Sequence, residues 1–269
     1  DDDKALGWAR QLGKPLERVG ADFVHEKEPG VAMANDSALW MPTLGSVRNP
    51  RLAKALKARL AAMPQVTLKE QCEVSGFILH GSQVEGVVTS QGPLTAERII
   101  VCGGAWAAQI LSQLNVQLPV RPVKGQMIAY QAPKGLVQRV VLKNGRYIIP
   151  RSDGLLLVGS TLEEVGFDKR TDAAALASLK QSAEAILPAL ATCPVAHQWA
   201  GLRPGSPTGL PFIGALPEWP NVFVNAGHYR NGLVLAPAST HLLVDQLLGR
   251  APLIDPAPYQ PTPERLIQA

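Results

Sequence analysis

Apolar and polar positions alternate along this chain with two periods, and each period keeps to its own stretches. At the start, Ala5, Leu6, Trp8, Ala9 and Leu12 recur at helical spacing and predict a helix to about Gly13. A second short helix over Ala21 to Glu28 is broken by Pro29-Gly30, and Ala38 to Met41 reads as a short strand. Leu52, Leu56, Leu60 and Met63 mark an amphipathic helix, with Asn49 as its N-cap and Pro50 at its first position. The period then changes to that of strands. Val66 to Lys69, Glu73 to Leu79, Val84 to Thr89 and Leu94 to Val101 are predicted strands, with a hairpin turn at His80-Gly81-Ser82. Ile99 to Val120 carries no charge, but its glutamines, Asn115 and Gly103-Gly104 point to a buried strand and a half-buried helix from Ala105 to Leu114, not a membrane span.

Four more strands follow, over Val123 to Gln131, Val137 to Leu142, Arg146 to Pro150 and Leu155 to Ser160. Their close spacing predicts an antiparallel sheet. Ala173 to Leu187 is a helix stopped by Pro188, and Ala196 to Arg203 a strand. Pro204 to Gly214 reads as a loop, Val222 to Asn225 as a short buried strand, and Asn231 to Leu248 as a long helix ended by Gly249. Five prolines from Pro252 to Pro263 argue against a regular element in the tail. The fold class is α+β: an antiparallel middle flanked by two strand, glycine, helix units.

Composition narrows the function classes. The 269 residues are 46% hydrophobic and 18% charged, an ordinary globular mix. A net charge of +4 with dispersed basic residues disfavours a nucleic-acid partner. Cys72, Cys102 and Cys193 are odd in number and far apart, which favours buried free thiols in a reducing, cytoplasmic setting. The histidines lack metal-ligand spacing, so no metal is expected. The acidic start Asp1-Asp2-Asp3-Lys4 reads either as a tag remnant or as the first turn of a helix, and the apolar run after it favours the helix.

Four segments carry candidate chemistry. Arg98 to Trp106 is an apolar strand ending in Gly103-Gly104 before a helix, a turn that either merely packs tightly or admits an anion. Val222 to Leu233 repeats that logic, with Gly227 and Gly232 bracketing His228, Tyr229, Arg230 and Asn231. It reads as an anion site built on Arg230, or as a helix capped by Asn231 with an exposed arginine. Trp199 to Gly205 places Arg203 directly before Pro204, which holds it extended as a plausible carboxylate clamp or as a surface arginine. In Gly145 to Pro150, Tyr147 and Ile149 share one face of a strand, and Tyr147 is either a core residue or a hydroxyl donor to a polar ligand.

Together these segments, with Lys124-Gly125-Gln126 and Gly209 to Gly214, resemble the D-amino-acid oxidase superfamily of flavoproteins, and Gly227 to Gly232 resembles its glycine oxidase branch. The resemblance covers essentially the whole chain. It implies FAD as cofactor and an α/β FAD-binding part interleaved with a mostly antiparallel substrate domain. On that pattern residues 1–45 and 118–212 belong to the substrate domain, and residues 46–117 and 213–269 to the FAD-binding domain. It implies that Arg203 pairs with the substrate carboxylate, that Tyr147 donates a hydrogen bond to it, and that Arg230 adds a second positive group. His228, Tyr229, Arg230, Asn231, Gly232, Leu233 and Val234 would line the flavin, Val74 would meet the adenine side, and Gly103 and Gly104 would pack near the phosphates.

The implied reaction is oxidative deamination of glycine or another small amino acid by hydride transfer to flavin, with O2 giving H2O2, in thiazole formation for thiamine. No residue is expected to act as a general base. A D-amino-acid dehydrogenase, a sarcosine-type oxidase and a flavin-free amino-acid-binding module are the alternatives. The resemblance also suggests a homo-oligomer. One departure stands out: the G-x-G-x-x-G turn that holds the FAD pyrophosphate in such proteins occurs nowhere in the 269 residues. The expectation is that it lies upstream of Asp1, and that these residues alone bind FAD poorly and are inactive.

Overall fold

The computed structural model describes residues 2–33 and 36–266; Asp1, first of the acidic run, lies outside the described residues. The first stretch comprises α1 (Asp2–Gln11), β1 (Glu17–Gly20), α2 (Ala21–Lys27), β2 (Ser37–Trp40) and α3 (Asn49–Ala61). The acidic residues Asp2 and Asp3 open α1, where they favour the positive end of the helix dipole. β1, which has no apolar alternation to announce it, pairs antiparallel with β2. Asn49 is the first residue of α3, not its cap; Arg48 holds the cap position and makes no side-chain capping bond. No residue of α3 is buried, and Leu52, Leu56 and Leu60 stand 38%, 56% and 40% exposed.

The middle of the chain contributes β3 (Val74–His80), β4 (Gln83–Thr89), β5 (Gly92–Thr95), β6 (Ile99–Val101), α4 (Ala107–Leu111) and β7 (Arg121–Gln131). Then come β8 (Val141–Lys143), β9 (Arg146–Pro150), β10 (Leu155–Gly159), α5 (Ala173–Ile186) and β11 (Val195–Gly205). The last elements are β12 (Phe212–Ala215), β13 (Val222–Ala226), α6 (Gly232–Leu248) and the short α7 (Pro263–Leu266). Several expectations need correction. Val66 to Lys69 is not a strand. The run Leu94 to Val101 splits into β5 and β6, which join different sheets. The strand predicted from Val137 is only Val141–Lys143. β12 begins inside the stretch read as a loop, and the proline-rich tail holds a 3-10 turn over Ala257–Tyr259 and then α7.

The chain divides into two compact units interleaved in sequence. Unit one takes the chain through Val66, with Gly125–Leu162 and Arg170–Ala200; unit two takes Thr67–Lys124, Glu163–Lys169 and the chain from Gly201 on.

Unit one is built on the strand order β11-β7-β10-β9-β8, in which β10 pairs antiparallel with both β7 and β9, and β9 with β8. Alternation decides its faces. Ile128 and Tyr130 of β7, Ile148 of β9, and Leu156 and Val158 of β10 turn to one side. There they pack against Leu179, Ala183 and Ile186 of α5. Tyr147 neighbours Ile148 and therefore lies on the face away from α5. The α5 N-terminus is fixed by Asp172, whose carboxylate accepts from Ala175 N at 2.8 Å, a cap typically worth about 1 kcal/mol. The buried Gln126 side chain donates to the same carboxylate at 2.5 Å, which ties β7 to the helix start.

Unit two has two sheets. In β12-β13-β6 the first pair is antiparallel and the second parallel. Val222, Val224 and Ala226 of β13 face Ala107, Leu111 and Leu114, while Phe223 faces Leu242 and Leu243 of α6. Helical segments thus cover both faces, as a parallel pair requires. The other sheet is the meander β3-β4-β5, with its hairpin at Gly81 (φ +60) as expected. Among the described residues no helix is long and apolar enough to cross a membrane.

Candidate functional site

The most informative part of unit two is the turn between β13 and α6. β13 ends at Ala226, and Gly227 follows at φ +82, which lets the chain leave the sheet. A Cβ at this position would come within 3.1 Å of Val120 Cγ2 and 3.2 Å of Phe212 Cδ2, so the backbone is pressed against the core. Tyr229 adopts φ +50, a conformation few residues other than glycine take. Its backbone N–H donates to Pro204 O at 2.9 Å. That bond joins the turn to the end of β11, one residue past Arg203. The two arginine-bearing segments singled out in the sequence are therefore tied together by their main chains.

The side chains of the turn divide by exposure. His228 is half-buried, with its Nε2 3.0 Å from the hydroxyl of Ser239, a buried residue of α6. Burial pushes the imidazole pKa below its ordinary 6.5, so the fold favours the neutral ring. Arg230 and Asn231 are exposed, Leu233 is 44% exposed and Val234 76%. Asn231 occupies the N-cap position of α6 but makes no side-chain capping bond to the first-turn N–H groups. Arg203 is half-buried. Ser239 was not legible as a partner of His228, since no spacing rule links a turn residue to the second turn of the next helix. Ser206, whose Cβ lies under Gly227 and whose buried hydroxyl has no partner among the described residues, was also missed.

The lowered pKa has a consequence for stability. In the unfolded chain the imidazole takes its proton near 6.5, and in the fold only at lower pH. Its contribution is fully present above that value and is lost as pH falls through the folded pKa. The thermal midpoint should therefore fall more between pH 7.5 and 5.5 in the parent protein than in His228→Gln. Parallel pH profiles for the two proteins would contradict the assignment.

The remaining cofactor candidates of unit two fall at strand ends. Val74 opens β3 and is 39% exposed. Gly103 and Gly104 follow β6. A Cβ on Gly103 would lie 2.7 Å from Ile110 Cδ1 and 3.2 Å from Ala107 backbone atoms, so close packing of the turn accounts for that glycine. Gly104 differs. Its φ is +54, and nothing lies within 4 Å of where its side chain would start, which leaves open space beside the backbone.

Unit one supplies Tyr147. It is half-buried on the sheet face away from α5, and among the described residues the hydrogen-bond partner of its hydroxyl is Met127 Sδ at 3.8 Å. A thioether is a weak acceptor, so this donor remains largely available. Arg146, on the opposite face, donates instead to Ser160 O and Ser178 Oγ.

The FAD dependent oxidoreductase family matches residues 2–246, and the chain belongs to that family. It is 48% identical over 261 residues to a glycine oxidase of Pseudomonas putida, which covers 97% of this chain and 72% of that protein. It is 34% identical over 229 residues to a bifunctional protein ThiO/ThiG of Nostoc, covering 84% of this chain and 34% of the other. The crystal structure of glycine oxidase from Geobacillus kaustophilus superposes with a TM-score of 0.89 at 35% identity, over 96% of this chain and 69% of that one. The fold is thus the D-amino-acid oxidase-like α+β arrangement, and the protein is a flavoenzyme whose cofactor is FAD.

The residues present in unit two fit such a group. Exposed Leu233 and Val234 offer apolar surface to a flat ring, the α6 N-terminus offers N–H groups and a positive dipole end, and Gly104 offers open backbone.

Proposed function

We propose that this protein oxidises glycine, or an amino acid of similar size, to the imino acid, with O2 as electron acceptor. The observation that carries this reading is the hydrogen bond from Tyr229 N to Pro204 O, which fixes the Arg203 strand end against the glycine-bracketed turn. In this reading Arg203 holds the substrate carboxylate, Tyr147 donates a hydrogen bond to it, and Arg230 adds positive charge. Unit two carries the flavin contacts: His228, Tyr229, Arg230, Asn231, Gly232, Leu233 and Val234 at the ring, Val74 at the adenine side, Gly103 and Gly104 near the phosphates. When bound, FAD supplies the two-electron oxidation, taking the Cα hydrogen as hydride and passing the electrons to O2 as H2O2.

The chain's own residues then work by position. A guanidinium fork fixes both carboxylate oxygens and so the direction of Cα, which counts as orientation and not as acid-base chemistry. Neutral His228 adds no charge to the turn, and the α6 N-terminus favours negative charge beside it. No side chain is assigned as a general base. The relatives named glycine oxidase and ThiO/ThiG support glycine as substrate and a role in thiazole formation. The three cysteines are free thiols, though none is buried as the sequence suggests, and they support a cytoplasmic setting.

The test is a substrate panel with the FAD-loaded enzyme: glycine, N-methylglycine and D-alanine, each followed by O2 uptake and peroxide release. The expected result is peroxide with glycine, together with glyoxylate and ammonia after hydrolysis of the imine. Turnover of an artificial electron acceptor without peroxide would place the protein with the dehydrogenases. Turnover of N-methylglycine alone would make it a sarcosine-type oxidase.

A further inference from the structure

In the antiparallel sheet of unit one, Gly159 of β10 stands directly opposite Tyr147 of β9 on one side and Met127 of β7 on the other. Residues opposite one another in such a sheet point to the same face. The three positions therefore form one row across the face away from α5, with no side chain in the middle. The neighbours close over the gap. A Cβ on Gly159 would lie 2.8 Å from the Tyr147 hydroxyl, 2.9 Å from its Cζ and 3.0 Å from Met127 Cγ. The end of the phenol leans over β10 until its hydroxyl comes 3.8 Å from Met127 Sδ. Gly159 is buried although it has no side chain, because these two residues cover it.

We propose that Gly159 and Met127 are positioning residues for the reaction: the empty place on β10 sets where the Tyr147 hydroxyl lies, and Met127 limits how far the ring leans. This rests on the reading that Tyr147 donates to the substrate carboxylate. Gly159 is required here for space alone. A methyl group at 159 would fall where real Cβ atoms do not approach another atom, so the ring would have to swing away from β10. The hydroxyl, at the far end of the ring, would move most. A hydrogen bond is sensitive to both distance and angle, and such a movement lengthens or loses it.

The experiment is a double-mutant cycle on the FAD-loaded enzyme, read as KM and kcat for glycine and, without turnover, as binding of acetate by calorimetry. Tyr147→Phe should raise KM and weaken acetate about tenfold, the usual scale for a hydrogen bond to a charged group. Gly159→Ala should do nearly the same in the parent, with a smaller change in kcat. In the Tyr147→Phe background it should add less than about twofold, because there is no hydroxyl left to displace. Met127→Leu, which conserves volume and is tolerated by packed cores, should cost about threefold in the parent and nothing in Tyr147→Phe.

The outcomes separate the two claims. If Tyr147→Phe binds acetate and turns over glycine normally, the reading of Tyr147 falls and the positioning claim falls with it. If Tyr147→Phe is impaired but Gly159→Ala is normal, or its factor is the same in both backgrounds, the positioning claim alone is overturned. If Gly159→Ala does not fold, the Met127→Leu pair decides: equal factors in both backgrounds overturn the claim.

Discussion

Replacing Arg203 with alanine should lower kcat/KM for glycine by about 2–5 kcal/mol, or roughly 30- to 4,000-fold, the cost of removing one partner from a desolvated charge pair. The arginine is half-buried, so solvent screening places the loss in the lower half of that range. Two structural facts make its position matter. Pro204 restricts the Arg203 backbone to extended geometry, and the Pro204 carbonyl is held by Tyr229 N at 2.9 Å. The guanidinium is therefore presented from a fixed main chain. A carboxylate held by Arg203 before and during oxidation, as proposed, would put most of the loss into a raised KM, with the orientation component appearing in kcat. Arg203→Lys keeps the charge but loses the planar fork, and should recover only part of the activity. Steady-state kinetics with glycine check this. Unchanged kcat/KM in Arg203→Ala would remove the carboxylate assignment.

The parts of the fold that were legible in the sequence are those whose cause is local. β9 and β10 are short β-rich apolar runs joined by a turn, and α5 has a regular apolar face and stops before Pro188. What was not legible depends on partners distant in sequence. β12 is only Phe212–Ala215, preceded by Pro211 and carrying Gly214 within it, and becomes a strand through its pairing with β13. The apolar run from Leu94 to Val101 gives no sign of where it bends, because β5 takes β4 as partner and β6 takes β13. Val66 to Lys69 has the composition of a strand and finds no partner. The amphipathic period of α3 is plain in the sequence, yet a period does not say what an apolar face meets, and its leucines are exposed.

The candidate site shows the same division. Gly227 and Gly232 advertised a turn into a helix start, and that is where α6 begins. Nothing in the residue order announced that Tyr229 would adopt φ +50, that Ser239 would meet His228, or that Gly159 would lie opposite Tyr147. The last of these depends on register, and a slip of one residue would turn Tyr147 to the other face. Cross-strand register is set by the whole sheet, so it cannot be read from any one strand.

Gly227→Ala should be the most damaging small substitution in the turn, because it combines two costs. At φ +82 any side chain strains the backbone, typically by about 1–3 kcal/mol. The added methyl would also come within 3.1 Å of Val120, 3.2 Å of Phe212 and 3.4 Å of Ser206. Val120 is 5% exposed and Phe212 1%, so neither has free space to retreat into, and such overpacking costs about 1–3 kcal/mol more. Relief by moving the turn would pull Tyr229 N from Pro204 O and shift His228 from Ser239. The expected result is a stability loss of about 2–6 kcal/mol with faster loss of bound FAD, measured by denaturant unfolding and by released flavin fluorescence. Gly13→Ala is the control that separates the two costs. Gly13 has φ +59 and nothing within 4 Å of its would-be Cβ, so that variant carries conformational strain without a clash. Equal losses in the two variants, with FAD retention unchanged in Gly227→Ala, would mean that the packing beneath the turn yields easily and does not hold the turn in place.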